Sequence, residues 1–141
     1  MKHFLIAFAL LAACASSGTD QPKFGIDVAQ VAEGSSAFYF AGPVNVQFQI
    51  TITNPTDEPA TLRHVRLGTS GAGAYVIQPH DTPTNLAIPP KSSATVTVPA
   101  WGTALGGPLY SHAPVTLRLT AYLDTPHGAI LQPANTILPQ E

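Results

Sequence analysis

The chain has few charged residues, a single cysteine and a single methionine. Only 10% of its 141 residues are charged, the formal net charge is −2, and no run of like charges is longer than Asp57–Glu58. The sequence therefore has no basic stripe for a phosphate backbone, which argues against a nucleic-acid partner. It also lacks a cationic amphipathic helix, so attachment to a membrane needs another source.

Metal-ligand spacings are missing from the sequence. It has no H-x-H, HExxH or C-x-x-C pattern, and a zinc site needs three or four converging ligands. His80, His112 and His127 are weak candidates for a metal site. The alternative for these histidines is a local role in loops, where they make turn hydrogen bonds. We expect no bound metal or other cofactor.

Motifs for nucleophilic catalysis are missing too. A triad can be drawn from Ser111, His112 and either Asp124 or Asp81, but no G-x-S-x-G turn supports it. A chain with this many Ser and Asp residues permits such a set without any catalytic meaning. We therefore expect a protein that is not an enzyme.

The N-terminal residues have the pattern of an export signal. Residues 1–13 read M-K-H-F-L-I-A-F-A-L-L-A-A, a short positive end followed by an apolar segment of ten residues. That segment is too short to span a bilayer core of about 30 Å, but it is typical of a secretory signal peptide. Leu11-Ala12-Ala13-Cys14 resembles the lipobox of bacterial lipoproteins. The alternative is an ordinary cleaved leader that leaves Cys14 as an odd thiol.

The resemblance to lipoproteins implies a location and a modification. It implies cleavage before Cys14, a diacylglyceryl group on its sulfur and an acyl chain on the new amino group, and several acyl chains anchor a protein firmly. The chain would then be attached to a membrane of the cell envelope. In Gram-negative lipoproteins a non-acidic residue after the cysteine, here Ala15, implies the outer membrane, facing the periplasm.

The remaining sequence divides into a tether and one domain. Residues 14–22 are small, polar and turn-prone, as expected of a lipidated tether, and residues 23–141 provide one domain's length. Val44–Thr53 and Val115–Asp124 alternate strictly between apolar and polar residues, which predicts strands with one buried face. About seven such strands, frequent turns and no helical period predict an antiparallel β-sandwich.

Three details of the predicted strands depend on single residues. A fault in the alternation of residues 61–69 predicts a β-bulge near Arg63–His64. Pro133 predicts an edge strand or a bend, and Pro99 is expected to end a strand. We expect residues 78–83 to form a loop before a short strand at residues 85–88.

A loose resemblance to known domains covers about residues 44 to 124. The central strand, the turn N-P-T-D-E-P, the strand T-L-R-H-V-R-L and the later I-P-P-K-S-S-A-T-V-T-V together resemble bacterial immunoglobulin-like domains. They are also similar to the late-embryogenesis-abundant (LEA) type 2 sandwich, in which a long strand ends in Asn-Pro. The resemblance implies an immunoglobulin-like fold and no particular function. Since Cys14 is the only cysteine, packing alone must hold the core.

The longest stretch without a pattern, residues 100–113, contains the only tryptophan. Its Trp101, Leu105, Leu109 and Tyr110 are candidates for a protein-contact surface, because rigid scaffolds present aromatic loop residues for recognition. The alternative is that Trp101 folds back and closes the open end of the sandwich. We expect a non-catalytic interaction or structural module with an envelope protein as partner. The second hypothesis is a small ligand- or metal-binding lipoprotein that uses the loop end.

Overall fold

The computed structural model describes residues 20–31 and 38–140. The predicted signal peptide (residues 1–13), Cys14 and most of the predicted tether lie outside the described residues. No helix in the described part of the chain is long and apolar enough to cross a membrane.

The described residues form two four-stranded antiparallel sheets, which confirms the predicted β-sandwich. A first sheet has the strand order β1-β2-β6-β4, and a second sheet has the order β5-β3-β7-β8. The strands are β1 (Gly25–Val31), β2 (Gly42–Thr53), β3 (Ala60–Ser70), β4 (Tyr75–Val76), β5 (His80–Ile88), β6 (Ser93–Ala104), β7 (Val115–Thr125) and β8 (Gly128–Leu138).

The two strictly alternating segments form the inner strands β2 and β7, one in each sheet. In β2 the side chains of Phe48, Ile50 and Ile52 are fully buried, while the polar residues between them face solvent. Leu117 and Leu123 are buried in the same way on β7. Burying each of these large side chains contributes about 1.5–3 kcal/mol, so the alternation itself determines which face becomes the core.

The predicted β-bulge is confirmed. The register of β3 shifts between Leu62 and His64 against both of its neighbours, β5 and β7. The extra residue, Arg63, is exposed, and Leu62 and Val65 are both buried as a result. Pro133 lies on β8, which pairs only with β7, so the predicted edge position is confirmed as well.

Two predicted strand boundaries are wrong. β5 begins at His80, inside the segment expected to be a loop, because residues 80–83 pair with β3 beyond the bulge. β6 continues through Pro99 to Ala104 and pairs with β2 over its whole length. Within residues 20–31 and 38–140, the other side of β6 has a strand partner only at Thr103 and Ala104, where β4 pairs. A proline is tolerated in a strand that has an open side, because no donor is needed there.

The strands place the loops at two opposite ends of the sandwich. β2 runs from Gly42, which is paired with Ala104, to Thr53, which is paired with both Gly25 and Ser93. We call the end beyond Thr53 the tether end; it comprises residues 20–24, 54–59, 89–92 and 126–127. We call the end before Gly42 the aromatic end; its described residues are 38–41, 71–74, 77–79, 105–114 and 139–140. The twelve residues of β2 separate the two ends by roughly 40 Å.

Candidate functional site

Backbone hydrogen bonds hold the loops of the aromatic end together. The Gly107 amide donates to the Tyr39 carbonyl over 2.8 Å, and the Leu105 amide donates to the Ala74 carbonyl over 3.2 Å. The Ala74 amide in turn donates to the Ala113 carbonyl over 3.2 Å. The long loop 105–114 is therefore bonded to both neighbouring loops, and its side chains are presented from a fixed backbone.

Two glycines give the long loop its path. Gly106 and Gly107 have φ angles of +75° and +79°, a region that residues with a Cβ rarely adopt. At Gly106 the backbone also passes very close to the segment just before β2, since a Cβ there would lie 2.5 Å from the Ala41 amide nitrogen. Turns follow, with the Ser111 amide donating to the Gly107 carbonyl over 3.1 Å.

An aromatic pair closes the core beneath these loops. Phe38 and Tyr75 are buried, and their ring centroids lie 5.0 Å apart. The Tyr75 hydroxyl donates to Oε1 of Gln30 over 2.8 Å, and burial of the phenol raises the pKa of Tyr75 well above its usual value. These two side chains close the end of the sandwich, a role that the sequence suggested as an alternative for Trp101.

Trp101 is exposed and lies on a strand, not in a loop. It projects from the outer face of β6 opposite Asn45 of β2, and 70% of its surface is accessible. The expectation that residue 101 belongs to an unpatterned loop was wrong because β6 continues beyond Pro99. The other three candidates do lie in the long loop, and all are exposed: Leu109 at 84%, Tyr110 at 42% and Leu105 at 38%.

Two further exposed aromatic residues at this end were missed by the sequence reasoning. Tyr39 and Phe40 are 50% and 76% exposed, and their rings meet edge to face with centroids 5.4 Å apart. The sequence feature that could have revealed these two residues is the short aromatic run A-F-Y-F before Gly42. Phe38 is buried in the core, whereas both Tyr39 and Phe40 are exposed to solvent.

The two ends of the sandwich differ in charge. The described residues of the aromatic end include no Asp, Glu, Lys or Arg. At the tether end Lys91 lies 3.7 Å from Asp57, and His127 lies 2.7 Å from Glu58. Depletion of charge among the exposed apolar side chains of these described loops is a feature that they share with the cores of protein–protein interfaces.

The structure does not bring the three candidate metal-binding histidines together. His80 begins β5, with Nδ1 3.0 Å from the Gln78 carbonyl oxygen. His112 lies at the aromatic end, and His127 lies at the tether end beside Glu58. Among residues 20–31 and 38–140 no group of three His, Cys, Asp or Glu side chains is arranged to hold a metal ion.

The residues of the hypothetical Ser–His–Asp triad are also separated. Ser111 and His112 lie at the aromatic end, whereas Asp124 pairs with Arg63 towards the tether end. Asp81 pairs with Arg66 on the second sheet. The Ser111 hydroxyl is itself buried and has no hydrogen-bond partner within the described part of the chain. No side chain in the described residues therefore hydrogen-bonds to the Ser111 hydroxyl as a base would.

Two cavities lie at the surface of the domain, one at the tether end and one on the second sheet. One, of about 320 Å³, lies where residues 20–22 pass the turn between β7 and β8. The other, of about 230 Å³, lies between Arg66 and Arg118. Neither has a wall from the first sheet, so neither is a void between the sheets, and neither is lined by Trp101 or His112.

The chain is similar in fold to several solved proteins at low sequence identity. Structural genomics target SoR45 matches with a TM-score of 0.59 and 15% identity, over 82% of this chain and 86% of that one. A putative late embryogenesis abundant (LEA) protein matches with a TM-score of 0.58 and 13% identity, over 89% of this chain and 74% of that one.

A third solved structure is also similar in fold at low sequence identity. The putative ApaA protein from Bordetella pertussis matches with a TM-score of 0.54 and 14% identity, over 84% of this chain and 95% of that one. No protein-family model and no curated protein matches the chain. At these identities the similarity defines a class of β-sandwich domain, which hosts unrelated functions.

Proposed function

We propose that this chain is a lipid-anchored protein of the cell envelope whose sandwich is a non-catalytic interaction module. The observation that carries the proposal is the aromatic end together with the adjoining outer face of β6, where six apolar side chains are exposed and the described loop residues include no charged side chain. These side chains are Tyr39, Phe40, Trp101, Leu105, Leu109 and Tyr110. Large aromatic side chains presented by a rigid scaffold are the residues that most often dominate protein–protein binding energy.

The position of the proposed anchor supports a protein partner over a lipid surface. The described chain starts at Asp20 at the tether end, so a lipid on Cys14 would hold that end near the membrane. The nine residues of the tether reach about 30 Å when fully extended. Because the sandwich is roughly 40 Å long, a tethered domain cannot stand inverted with its aromatic end on the anchoring membrane. In the upright orientation the aromatic end points into the aqueous compartment.

The lipid anchor is tested by replacing Cys14 with serine. We expect Cys14→Ser to lose incorporation of a fatty-acid probe and to move from the membrane fraction to the soluble fraction, because serine lacks the sulfur that accepts the diacylglyceryl group. The neighbouring Ser17→Ala serves as control and should keep both labelling and membrane association. Labelling that persists in Cys14→Ser would contradict the anchor proposal.

The contact surface is tested by photocrosslinking in intact cells. A photoreactive phenylalanine analogue at position 101 is expected to give one discrete crosslinked product with a second protein, because a bound partner would cover that side chain. Position 131 is the matched control, since Leu131 is 58% exposed against 70% for Trp101 but lies on β8 opposite Tyr122, towards the tether end. Positions 101 and 109 should give the same product.

Two crosslinking results would contradict the proposed contact surface. If positions 101 and 131 give the same product, or if position 101 gives none, then the aromatic end does not select a partner. In the expected case, Trp101→Ser should weaken recovery of the crosslink at position 109 at least tenfold, as removal of a dominant interface residue typically costs 2 kcal/mol or more. Leu131→Ser should leave it unchanged.

A further inference from the structure

We propose that the groove between Arg66 and Arg118 on the outer face of the second sheet binds an anionic group, a carboxylate or a phosphate. The proposal rests on neither the lipid anchor nor the aromatic end. It begins with the distribution of arginine: the chain has three, and all lie on this face. Arg63 and Arg66 belong to β3 and Arg118 to β7. The strands of the first sheet contain no lysine or arginine.

Two of the three guanidinium groups have a carboxylate partner. Arg63 pairs with Asp124, and Nη1 of Arg66 lies 2.9 Å from Oδ2 of Asp81. Within residues 20–31 and 38–140, no carboxylate lies within ion-pair distance of Arg118. Its cross-strand neighbours are Gly68 on β3 and Asn135 on β8, and neither carries charge. Arg118 therefore leaves a positive charge uncompensated beside Arg66.

The space between the two arginines is a built groove and not a flat surface. It has a volume of about 230 Å³, and Gly68, Thr69, Pro79 and Thr120 complete its lining together with Leu67. Gly68 is required for its shape, since a Cβ there would lie 3.0 Å from the Pro79 backbone. Pro79 therefore packs directly on the strand backbone and forms one wall of the groove.

The volume of the groove and its hydrogen-bond donors indicate which kind of ligand it binds. Sites for whole small molecules usually measure 300–1,000 Å³, so a groove of about 230 Å³ fits one charged group at the end of a larger molecule, or a small free anion. Guanidinium groups bind the paired oxygens of carboxylate and phosphate with two parallel hydrogen bonds. Arg118 offers such a pair of donors, and Thr120 lines the same groove.

The test is a titration of the full chain in detergent, followed by nuclear magnetic resonance of the arginine Nε–H groups. Sodium phosphate and sodium acetate are added in separate arms at constant ionic strength, so that screening does not change. We expect saturable shifts of the Arg118 and Arg66 signals, with dissociation constants on the order of millimolar, equivalent to about −4 kcal/mol. Saturation by phosphate alone identifies a phosphate site, and saturation by acetate alone identifies a carboxylate site.

A pair of arginine variants separates the groove from general positive charge. Arg118→Gln and Arg63→Gln remove the same charge from the same sheet face, but only Arg118 lines the groove. We expect Arg118→Gln to weaken anion binding at least tenfold and Arg63→Gln to change it less than twofold, with the backbone amide spectra of both variants otherwise preserved. Shifts that do not saturate, or binding that Arg118→Gln and Arg63→Gln weaken equally, would overturn the proposal.

Discussion

Replacing Asn54 with aspartate is expected to destabilise the domain by roughly 3 kcal/mol. Asn54 is buried at the end of β2, and its side-chain nitrogen donates to the carbonyl oxygens of Glu58, Pro89 and Ile88 over 2.8, 3.3 and 3.4 Å. Its Oδ1 accepts from the Thr56 amide over 2.9 Å. Aspartate keeps the acceptor but has no amide donor, so the variant places a buried carboxylate against three carbonyl oxygens.

The measurement for Asn54→Asp is urea unfolding followed by far-ultraviolet circular dichroism. Asn45→Asp is the control, because Asn45 lies on the same strand, is half-buried and faces outward opposite Trp101. We expect Asn45→Asp to change the free energy of unfolding by less than about 0.5 kcal/mol. Similar losses in both variants would mean that added negative charge, and not the loss of the Asn54 donors, sets the effect.

The hydrogen bonds of Asn54 show why the tether end was only partly predictable. The sequence N-P-T-D-E-P predicts a turn, since Pro55 cannot continue a ladder and Asn favours turns. It does not reveal that Asn54 also bonds the backbone at Ile88 and Pro89, 34 and 35 residues further along the chain. That contact depends on β5 ending beside β2 in space, which local pattern does not encode.

The strictly alternating strands were predicted correctly, whereas the effect of proline was predicted correctly at Pro133 and wrongly at Pro99. Along β7, and along β2 from Val46 onward, the pattern agrees with burial, because one face of each strand packs against the other sheet. In β6, Pro99 suggested an end, whereas the strand continues because its side away from β2 is open there. Whether a proline ends a strand depends on the neighbours of that strand, which only the topology supplies.

The candidate contact surface was predictable in composition but not in extent. Trp101 and Leu109 were identified from the apolar content of an unpatterned stretch, and both are exposed. Phe40 was missed because it lies 61 residues before Trp101 and meets the same end only through the pairing of Gly42 with Ala104. The charge difference between the two ends has the same origin, since it appears only once the loops are sorted by end.

Gly106→Ala is expected to cost about 3 kcal/mol and to disturb the aromatic end specifically. Its φ of +75° is strained for alanine, and the new Cβ would lie 2.5 Å from the Ala41 amide nitrogen, so the backbone must move apart. That movement pulls the long loop away from Tyr39, whose carbonyl accepts the neighbouring Gly107 amide. Thermal and urea unfolding measure the loss of stability, and hydrogen exchange of the Gly107 amide measures the loosening of the loop.

Gly107→Ala is the matched control, because it separates the strain of a positive φ from the steric contact with Ala41. Gly107 has nearly the same φ, +79°, but a Cβ there meets nothing within 4 Å. We expect this variant to lose about 1 kcal/mol, the cost of the left-handed conformation alone. Equal losses in the two variants would mean that the loop does not pack against Ala41. A larger loss in Gly106→Ala, with faster exchange at Gly107, would show that the contact with Ala41 holds Leu109 and Tyr110 in position.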